Sequence, residues 1–289
     1  MIALRRRLPE AAAEAPPSYH VRIQPSTGWS MLNLRELWAY RDLLFILARR
    51  DVAVRYKQTA FGVIWVVLQP LLTALIFAAV LGRVAGLGPE GVPYLLFGMA
   101  GMVPWLLFAG SMQRAGMSLL ADQKLITKVY FPRLLLPLGA ALAVVVDFFV
   151  GFLVLLAFIF AMRGFVPAEI VAVPIIVLWI TILAVGVSCW VAALNVYYRD
   201  FAYALPFLIQ SLMFATPVVY SSSLLPARWS AVYALNPMAG AIDCFRWAVL
   251  GIGEFPMEAA AISLLTGSLI FVGGLLVFRR LERSFADVI

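Results

Sequence analysis

Six long apolar stretches dominate the hydropathy pattern of the chain, and each is long enough to cross a membrane. A helix needs about 20 residues to span a hydrocarbon core about 30 Å thick. The pattern therefore predicts an all-α membrane protein with six membrane-spanning helices. The predicted spans cover residues 61–82, 94–113, 135–161, 170–194, 202–220 and 259–278.

The composition excludes a soluble globular protein. Of the 289 residues, 64% are hydrophobic and 13% are charged, whereas about 25% are charged in an ordinary soluble domain. The two cysteines and the single histidine are too few for a disulfide framework or for a Cys- or His-rich metal site. We therefore expect no metal in this chain.

The distribution of Lys and Arg orients the predicted spans. Eighteen of these 22 residues lie before the first span, after the last span, or in the two connections on the same side, and four lie on the opposite side. Cytoplasmic loops are enriched in Lys and Arg, so we expect both termini in the cytoplasm. The net charge of +7 is then mainly a topology signal, and no nucleic-acid partner is expected.

The chain before the first span divides into two predicted regions. Residues 1–32 are polar and rich in proline, which predicts a cytoplasmic N-terminal extension. Over 33–58, apolar residues recur at helical spacing among charged ones, which predicts an amphipathic helix in the membrane interface. A helix packed on a soluble partner is the alternative. The rest of the chain, 59–289, forms the predicted six-span domain.

The connection between the second and third spans is short and mixed in character. Residues 122–128 combine polar and apolar side chains upstream of Pro132, and a proline disfavours helix at the residue before it. Both a helix of two or three turns and a solvated loop fit this pattern.

The connection over 221–258 is too apolar for free solvent, yet Pro and Gly interrupt any full span. Two short helices that dip into the outer leaflet and break at Asn236-Pro237 explain both features. Re-entrant backbone is tolerated at membrane depth only against protein or a wet cavity, so we expect an outer gate that caps a pathway. Its expected residues are Trp229, Tyr233, Asn236, Pro237 and Phe245.

Aromatic side chains recur every three or four positions in three of the predicted spans, with amides among them. Sugars stack their C–H-rich faces on rings while their hydroxyls need donors and acceptors, so such faces suit a sugar pathway. Helix packing explains each stripe separately, whereas three together favour a lined channel. The residues are Phe61, Trp65 and Gln69, then Tyr94, Phe97, Trp105 and Phe108, and finally Tyr203, Phe207, Gln210 and Phe214.

A basic group precedes the first span. Guanidinium and ammonium groups there suit an anionic substrate such as a pyrophosphate headgroup. The alternative is a topology signal combined with attraction to anionic lipid. The predicted substrate-receiving residues are Arg49, Arg50, Arg55, Tyr56 and Lys57.

Ionisable residues are scarce inside the predicted spans. Asp147 stands nearly alone, and a carboxylate at that depth is costly unless it faces protein or water, protonated or paired with an arginine. A structural contact and a transport role both remain open for it. Acid–base catalysis needs paired titratable groups, and the sequence has no G-x-x-x-x-G-K-[S/T] segment, so the chain is not a self-contained P-loop ATPase.

Four motifs in this order resemble ABC-2 type permeases for cell-surface polysaccharides, and the resemblance covers about residues 33–289. The motifs are the run from Leu34 to Thr59 with Gly62-Val63-Ile64-Trp65 and Gln69-Pro70, then Lys128-Val129-Tyr130-Phe131-Pro132-Arg133, Asn195-Val196-Tyr197-Tyr198-Arg199-Asp200 and Leu235-Asn236-Pro237.

The resemblance implies a homodimer in the bacterial inner membrane that exports a lipid-linked glycan of the O-antigen, capsule or teichoic-acid kind. It implies two copies of a cytoplasmic ATP-binding subunit that hold ATP and Mg, so this chain itself carries no cofactor and is not an enzyme. An ABC-2 exporter of lipids or drugs and a membrane-embedded lipid-linked glycosyltransferase are the alternatives. The resemblance places coupling to the ATPase at Asp122, Gln123, Lys124, Leu125, Ile126 and Lys128.

Overall fold

The computed structural model describes residues 34–57, 62–84, 91–222, 233–282 and 284–285. The described chain consists of helices and their connections and contains no β-strand. The helices are α1 (Leu34–Ala39), α2 (Arg41–Lys57), α3 (Gly62–Phe77) with a π-helical continuation (Ala78–Val84), α4 (Tyr94–Ala121), α5 (Gln123–Lys128), α6 (Leu135–Arg163), a 3₁₀ turn (Ala168–Ala172), α7 (Val173–Tyr197), α8 (Phe201–Ala215), α9 (Pro237–Leu250) and α10 (Met257–Glu282).

Four helices of the described chain are long and apolar enough to cross a membrane, namely α4, α6, α7 with its preceding 3₁₀ turn, and α10. The apolar helices Ile64–Val80 and Phe201–Ala215 are shorter. The all-α prediction is therefore confirmed, whereas the count of six spans stays a prediction. Helix α8 ends at Ala215 because Pro217 drives Thr216 into an extended conformation, with φ −109° and ψ 139°.

Helix α4 lies at the centre of the bundle. It packs against α3, α6, α7 and α9, and most of its side chains from Leu96 to Leu119 are buried. A helix that is apolar on all sides and enclosed by neighbours has no face left for a lumen. We call the end of the bundle that carries α5 the inner end and the end that carries α9 the outer end.

Within the segment 33–58, where one amphipathic interface helix is predicted, the structure has two helices, α1 and α2, separated by a turn at Tyr40. Their location in the membrane interface stays a prediction. One side of α2 packs on α6, where buried Leu47 meets Gly139. A Cβ atom at Gly139 would lie 3.2 Å from the Leu47 Cβ, so glycine permits the two helices to approach closely. Apolar residues at other positions of the two helices are exposed, including Trp38 on α1 and Phe45 and Val54 on α2.

The structure describes the inner connection and part of the outer connection. The inner connection forms helix α5, so it is a helix and not a solvated loop, and Val129 after it is extended at φ −130° and ψ 135°. The outer one breaks at Asn236-Pro237, as predicted. The Asn236 side chain caps α9 by accepting a 3.0 Å hydrogen bond from the Met238 N–H. Pro237 suits the first position of α9 because a backbone N–H at that position would have no partner within the helix. The N-terminal extension, Phe61 and Trp229 lie outside the described residues.

Candidate functional site

At the inner end, Arg50 of α2 binds the turn between α4 and α5. Its Nη1 and Nη2 atoms lie 2.8 Å and 2.6 Å from the two carboxylate oxygens of Asp122. Its Nε atom lies 3.0 Å from an Asp51 oxygen. Hydrogen bonding to Asp122 raises the pKa of the Arg50 guanidinium, so the two-point contact stays charged.

Asp147, near the middle of α6, accepts hydrogen bonds from the Arg55 guanidinium and the Tyr56 hydroxyl of α2. Arg114 of α4 is a third partner, with its Nη1 3.4 Å from an Asp147 oxygen. The Asp147 side chain is only 11% exposed. The carboxylate therefore faces protein and is paired with arginine, one of the arrangements expected for it.

Three of the five predicted substrate-receiving residues are thus engaged within the chain. Arg50 binds Asp122, and Arg55 and Tyr56 bind Asp147, so carboxylates of the chain itself offset the charges of both arginines. Carboxylates are their nearest strong acceptors, and the helix packing brings those carboxylates within reach. Arg49 and Lys57 are exposed.

The predicted channel stripe on α4 requires a correction. Phe97, Trp105 and Phe108 are buried inside the subunit, 6%, 3% and 5% exposed. They fill the core because α4 is surrounded by other helices, so the stripe is a packing face. Tyr94 is half-buried, and its hydroxyl donates to the Val219 carbonyl oxygen.

The other two stripes lie on the surface of the subunit. Trp65 on α3 is 62% exposed, and Tyr203 and Phe207 on α8 are 86% and 72% exposed. The remaining described members, Gln69, Gln210 and Phe214, are exposed as well. An open groove of about 500 Å³ on α3 is lined by Trp65, Gln69, Leu72 and Thr73.

Helix α5 has a buried side and an exposed side. Ile126 is buried in the inner core, while Gln123 and Leu125 are half-buried. Lys124 and Lys128 are exposed. The predicted coupling residues therefore divide into those that anchor the helix and those that face outward.

At the outer end, buried Arg246 of α9 holds residues 216–220, which we call the outer strap. Its guanidinium donates to the carbonyl oxygens of Pro217 at 2.8 Å, Val218 at 2.6 Å and Tyr220 at 3.2 Å. It also lies over the Phe97 ring, 3.8 Å from the centroid. Arg246 is one of the four Lys and Arg residues on the side opposite the predicted cytoplasmic side. A lone arginine within an apolar run is the signal from which its buried partners could have been expected.

The described gate residues bind the outer strap or the core. The Tyr233 hydroxyl lies 3.0 Å from that of Tyr220, and the Asn236 Nδ2 donates to Thr216 at 2.9 Å. Phe245 requires a correction. It is fully buried against rings of α6, so it packs in the core and does not face a pathway.

The long apolar helices and the few buried, paired charges define a multi-pass membrane protein. A family model described as ABC-2 type transporter matches residues 42–250. The chain therefore belongs to the ABC-2 type transporter family, which confirms the resemblance carried by the four motifs. The chain is a transporter membrane subunit, and the alternative of a membrane-embedded glycosyltransferase is wrong.

Curated relatives cover most of the chain. It is 30% identical over 250 residues to the O-antigen export system permease protein RfbA of Klebsiella pneumoniae, which is 86% of this chain and 95% of that protein. It is 29% identical over 216 residues to the protein of the same name from Myxococcus xanthus, 74% and 82% of the two chains. It is 22% identical over 241 residues to the polysialic acid transport protein KpsM of Escherichia coli, 81% and 92% of the two chains.

Proposed function

We propose that this chain is the membrane-spanning permease subunit of an ATP-driven exporter that moves a lipid-linked cell-surface polysaccharide out of the cytoplasm. The observation that carries this proposal is the similarity to O-antigen export permeases over 95% of the length of one such relative. The scarcity of ionisable groups within the predicted spans agrees with this proposal, because transport is then driven by ATP hydrolysis on a separate ATP-binding subunit.

In this proposal the chain crosses the bacterial inner membrane six times, with α3 and α8 as the first and fifth spans. The excess of Lys and Arg in the N-terminal region, the C-terminal tail and the connections on the same side supports a cytoplasmic location of both termini. Helices α1 and α2 lie at the inner side of the membrane, where α2 follows the inner half of α6. Their exposed apolar residues, such as Trp38 and Phe45, suit contact with lipid. The outer strap and α9 form part of a re-entrant outer gate.

The exposed faces of α3 and α8 support a homodimer with a channel between its subunits. Gln69 and Gln210 are exposed on these faces, and an amide in contact with lipid tails loses its hydrogen bonds to water. Their neighbours Trp65, Tyr203 and Phe207 offer rings on which sugars stack. A lipid-facing surface needs only aliphatic side chains, so these two faces are better suited to a partner subunit and a wet pathway.

The substrate is received at the inner end by Arg49 and Lys57, whose charges are exposed. An anionic headgroup there meets cations that no carboxylate of the described chain neutralises. Arg55 and Tyr56 shape the same region indirectly, because Asp147 fixes their side chains.

Coupling to the ATP-binding subunit occurs through α5. Lys124 and Lys128 face outward, while buried Ile126 anchors the helix in the inner core. Two copies of the ATP-binding subunit, each holding ATP and Mg, would dock on the two α5 helices of the dimer. A displacement of α5 then changes the relative stability of the closed and open pathways.

The test is reconstitution of the chain with its cognate ATP-binding subunit in lipid vesicles, followed by ATP-dependent translocation of a lipid-linked glycan. Phe207→Leu should reduce glycan transport at least fivefold, because leucine removes the stacking ring. The matched control is Phe149→Leu on α6, which is also exposed but lies outside the proposed channel faces and should leave transport unchanged. Equal transport by both variants, or translocation of a lipid without its glycan, would refute the proposed cargo.

A further inference from the structure

Helix α2 contacts two places that are remote from each other in the sequence. Arg50 binds Asp122 in the turn that leads into α5, and Arg55 binds Asp147 in α6. These partners lie 72 and 92 residues away from the arginines along the chain. A single helix thus joins the start of α5 to the middle of a predicted span.

The contact between Arg50 and Asp122 fixes the relative orientation of the two side chains in addition to pairing their charges. Two nitrogens of the guanidinium meet the two oxygens of the carboxylate, and such a fork resists rotation better than a single hydrogen bond does. Asp122 is fixed in the backbone of the turn: its N–H donates to the Ser118 oxygen at 3.0 Å, and its own carbonyl accepts from the Leu125 N–H at 2.9 Å. The Asp122 side chain must therefore move when α5 moves.

The contact between α2 and α6 has two points. Leu47 meets Gly139, and Arg55 with Tyr56 meets Asp147. The two points are eight residues apart on both helices, or about 12 Å at 1.5 Å per residue. The helices therefore run side by side in the same direction, with a close steric contact at one point and ion pairing at the other to resist sliding.

We propose that Arg50 is a positioning residue for transport, through which α2 carries a displacement of α5 to α6. This rests on the proposed function, in which α5 meets the ATP-binding subunit. When that subunit moves α5, Asp122 carries Arg50 with it, and α2 carries Asp147 and the inner half of α6. The route is a contiguous set of packed and charged contacts, and it runs beside the covalent connection through α4.

The test is a charge exchange in the complex with the ATP-binding subunit, reconstituted in vesicles. Arg50→Asp and Asp122→Arg should each lower the amount of glycan transported per ATP hydrolysed at least tenfold, while the complex still assembles. The double variant should return to within threefold of the wild type. The matched control is Arg41→Asp, the same charge reversal on an exposed position of α2, which should stay within twofold.

Normal coupling in both single variants would overturn the proposal, and so would a folded double variant that is no better than either single one. If a charge reversal prevents folding, Arg50→Gln removes the charge with a smaller disturbance and should show the same loss of coupling. A wild-type complex that hydrolyses ATP but moves no glycan would refute the proposed cargo instead. Stimulation of ATP hydrolysis by the permease would then still report whether Arg50 and Asp122 act together.

Discussion

Replacing Gly101 by alanine is expected to dislodge the outer strap from α4. A Cβ atom at this position would lie 2.6 Å from the Arg246 Nη2 and 2.9 Å from the Val218 carbonyl carbon, with the carbonyl oxygen closer still. These atoms belong to the hydrogen bonds by which Arg246 holds the strap. The new methyl group therefore displaces both partners of a buried contact. Val218 contributes backbone atoms, and the Arg246 guanidinium is held by three carbonyl oxygens, so neither partner can move aside at little cost.

The expected cost follows from three contributions. Overpacking of a well-packed core costs about 1–3 kcal/mol, and a hydrogen bond to a charged group contributes about 1.5–3 kcal/mol. Alanine is better than glycine inside a helix by about 1 kcal/mol, which offsets part of this loss. We expect a net destabilisation of about 2–4 kcal/mol, or a fall in Tm of roughly 5–10 °C for a domain of this size.

The two free cysteines provide the assay. Cys189 and Cys244 are both buried, so a thiol-reactive fluorophore labels them in detergent only as the protein unfolds. Cys244 lies two residues from Arg246 on α9, whereas Cys189 lies on α7. Gly101→Ala should therefore lower the melting temperature and accelerate labelling of Cys244 more than that of Cys189, with each site measured in a background that lacks the other cysteine.

Gly151→Ala is the matched control for this experiment. The same methyl group on α6 would lie 3.8 Å and 3.9 Å from the two Val103 methyl groups, which is ordinary contact. We expect this variant to melt at or slightly above the wild-type temperature. If Gly101→Ala melts like Gly151→Ala and Cys244 labels at its wild-type rate, then the strap does not pack on α4 as described.

The same melting measurement checks two buried polar contacts. Asp147→Asn keeps the shape of the side chain but removes the negative charge that Asp147 offers to Arg55 and Arg114. We expect a loss of about 2–3 kcal/mol, below the value for a fully buried pair because both arginines are about one-third exposed; an unchanged melting temperature would contradict the pairing. The Nδ2 of fully buried Asn195 donates to the Gly116 carbonyl at 2.9 Å, so Asn195→Ala should lose about 1–2 kcal/mol. Asn195→Asp should lose clearly more, because it places a carboxylate beside that carbonyl, and the reverse order would refute this contact.

The helices were predictable from the sequence because long apolar runs and prolines act locally. The break before Pro237 and the end of α8 before Pro217 both follow from the restriction that proline places on its neighbours. The length of a run does not fix the length of a helix, however. The predicted fifth span, 202–220, includes the outer strap, which leaves the helix after Ala215 and binds Arg246 instead.

The side on which a stripe lies was not predictable. The spacing of Phe97, Trp105 and Phe108 puts them on one face of α4, but spacing says nothing about the neighbours of that face. The same holds for the faces of α3 and α8, which have similar aromatic content and remain exposed. The partners of Asp147 could not be predicted either. Arg55 and Arg114 are distant from Asp147 in the sequence, and only the packing of α2, α4 and α6 brings the three side chains together.

Arg55 and Arg246 act in similar ways. Each arginine ties a segment outside the central helices to the core, α2 through Asp147 and the outer strap through its carbonyl oxygens. Separating a buried charge from its partners is costly, so α2 is expected to move with the inner half of α6 and the strap with α9 during transport. The movement that opens the pathway is then expected at the exposed faces of α3 and α8, where no buried ion pair of the described chain resists displacement.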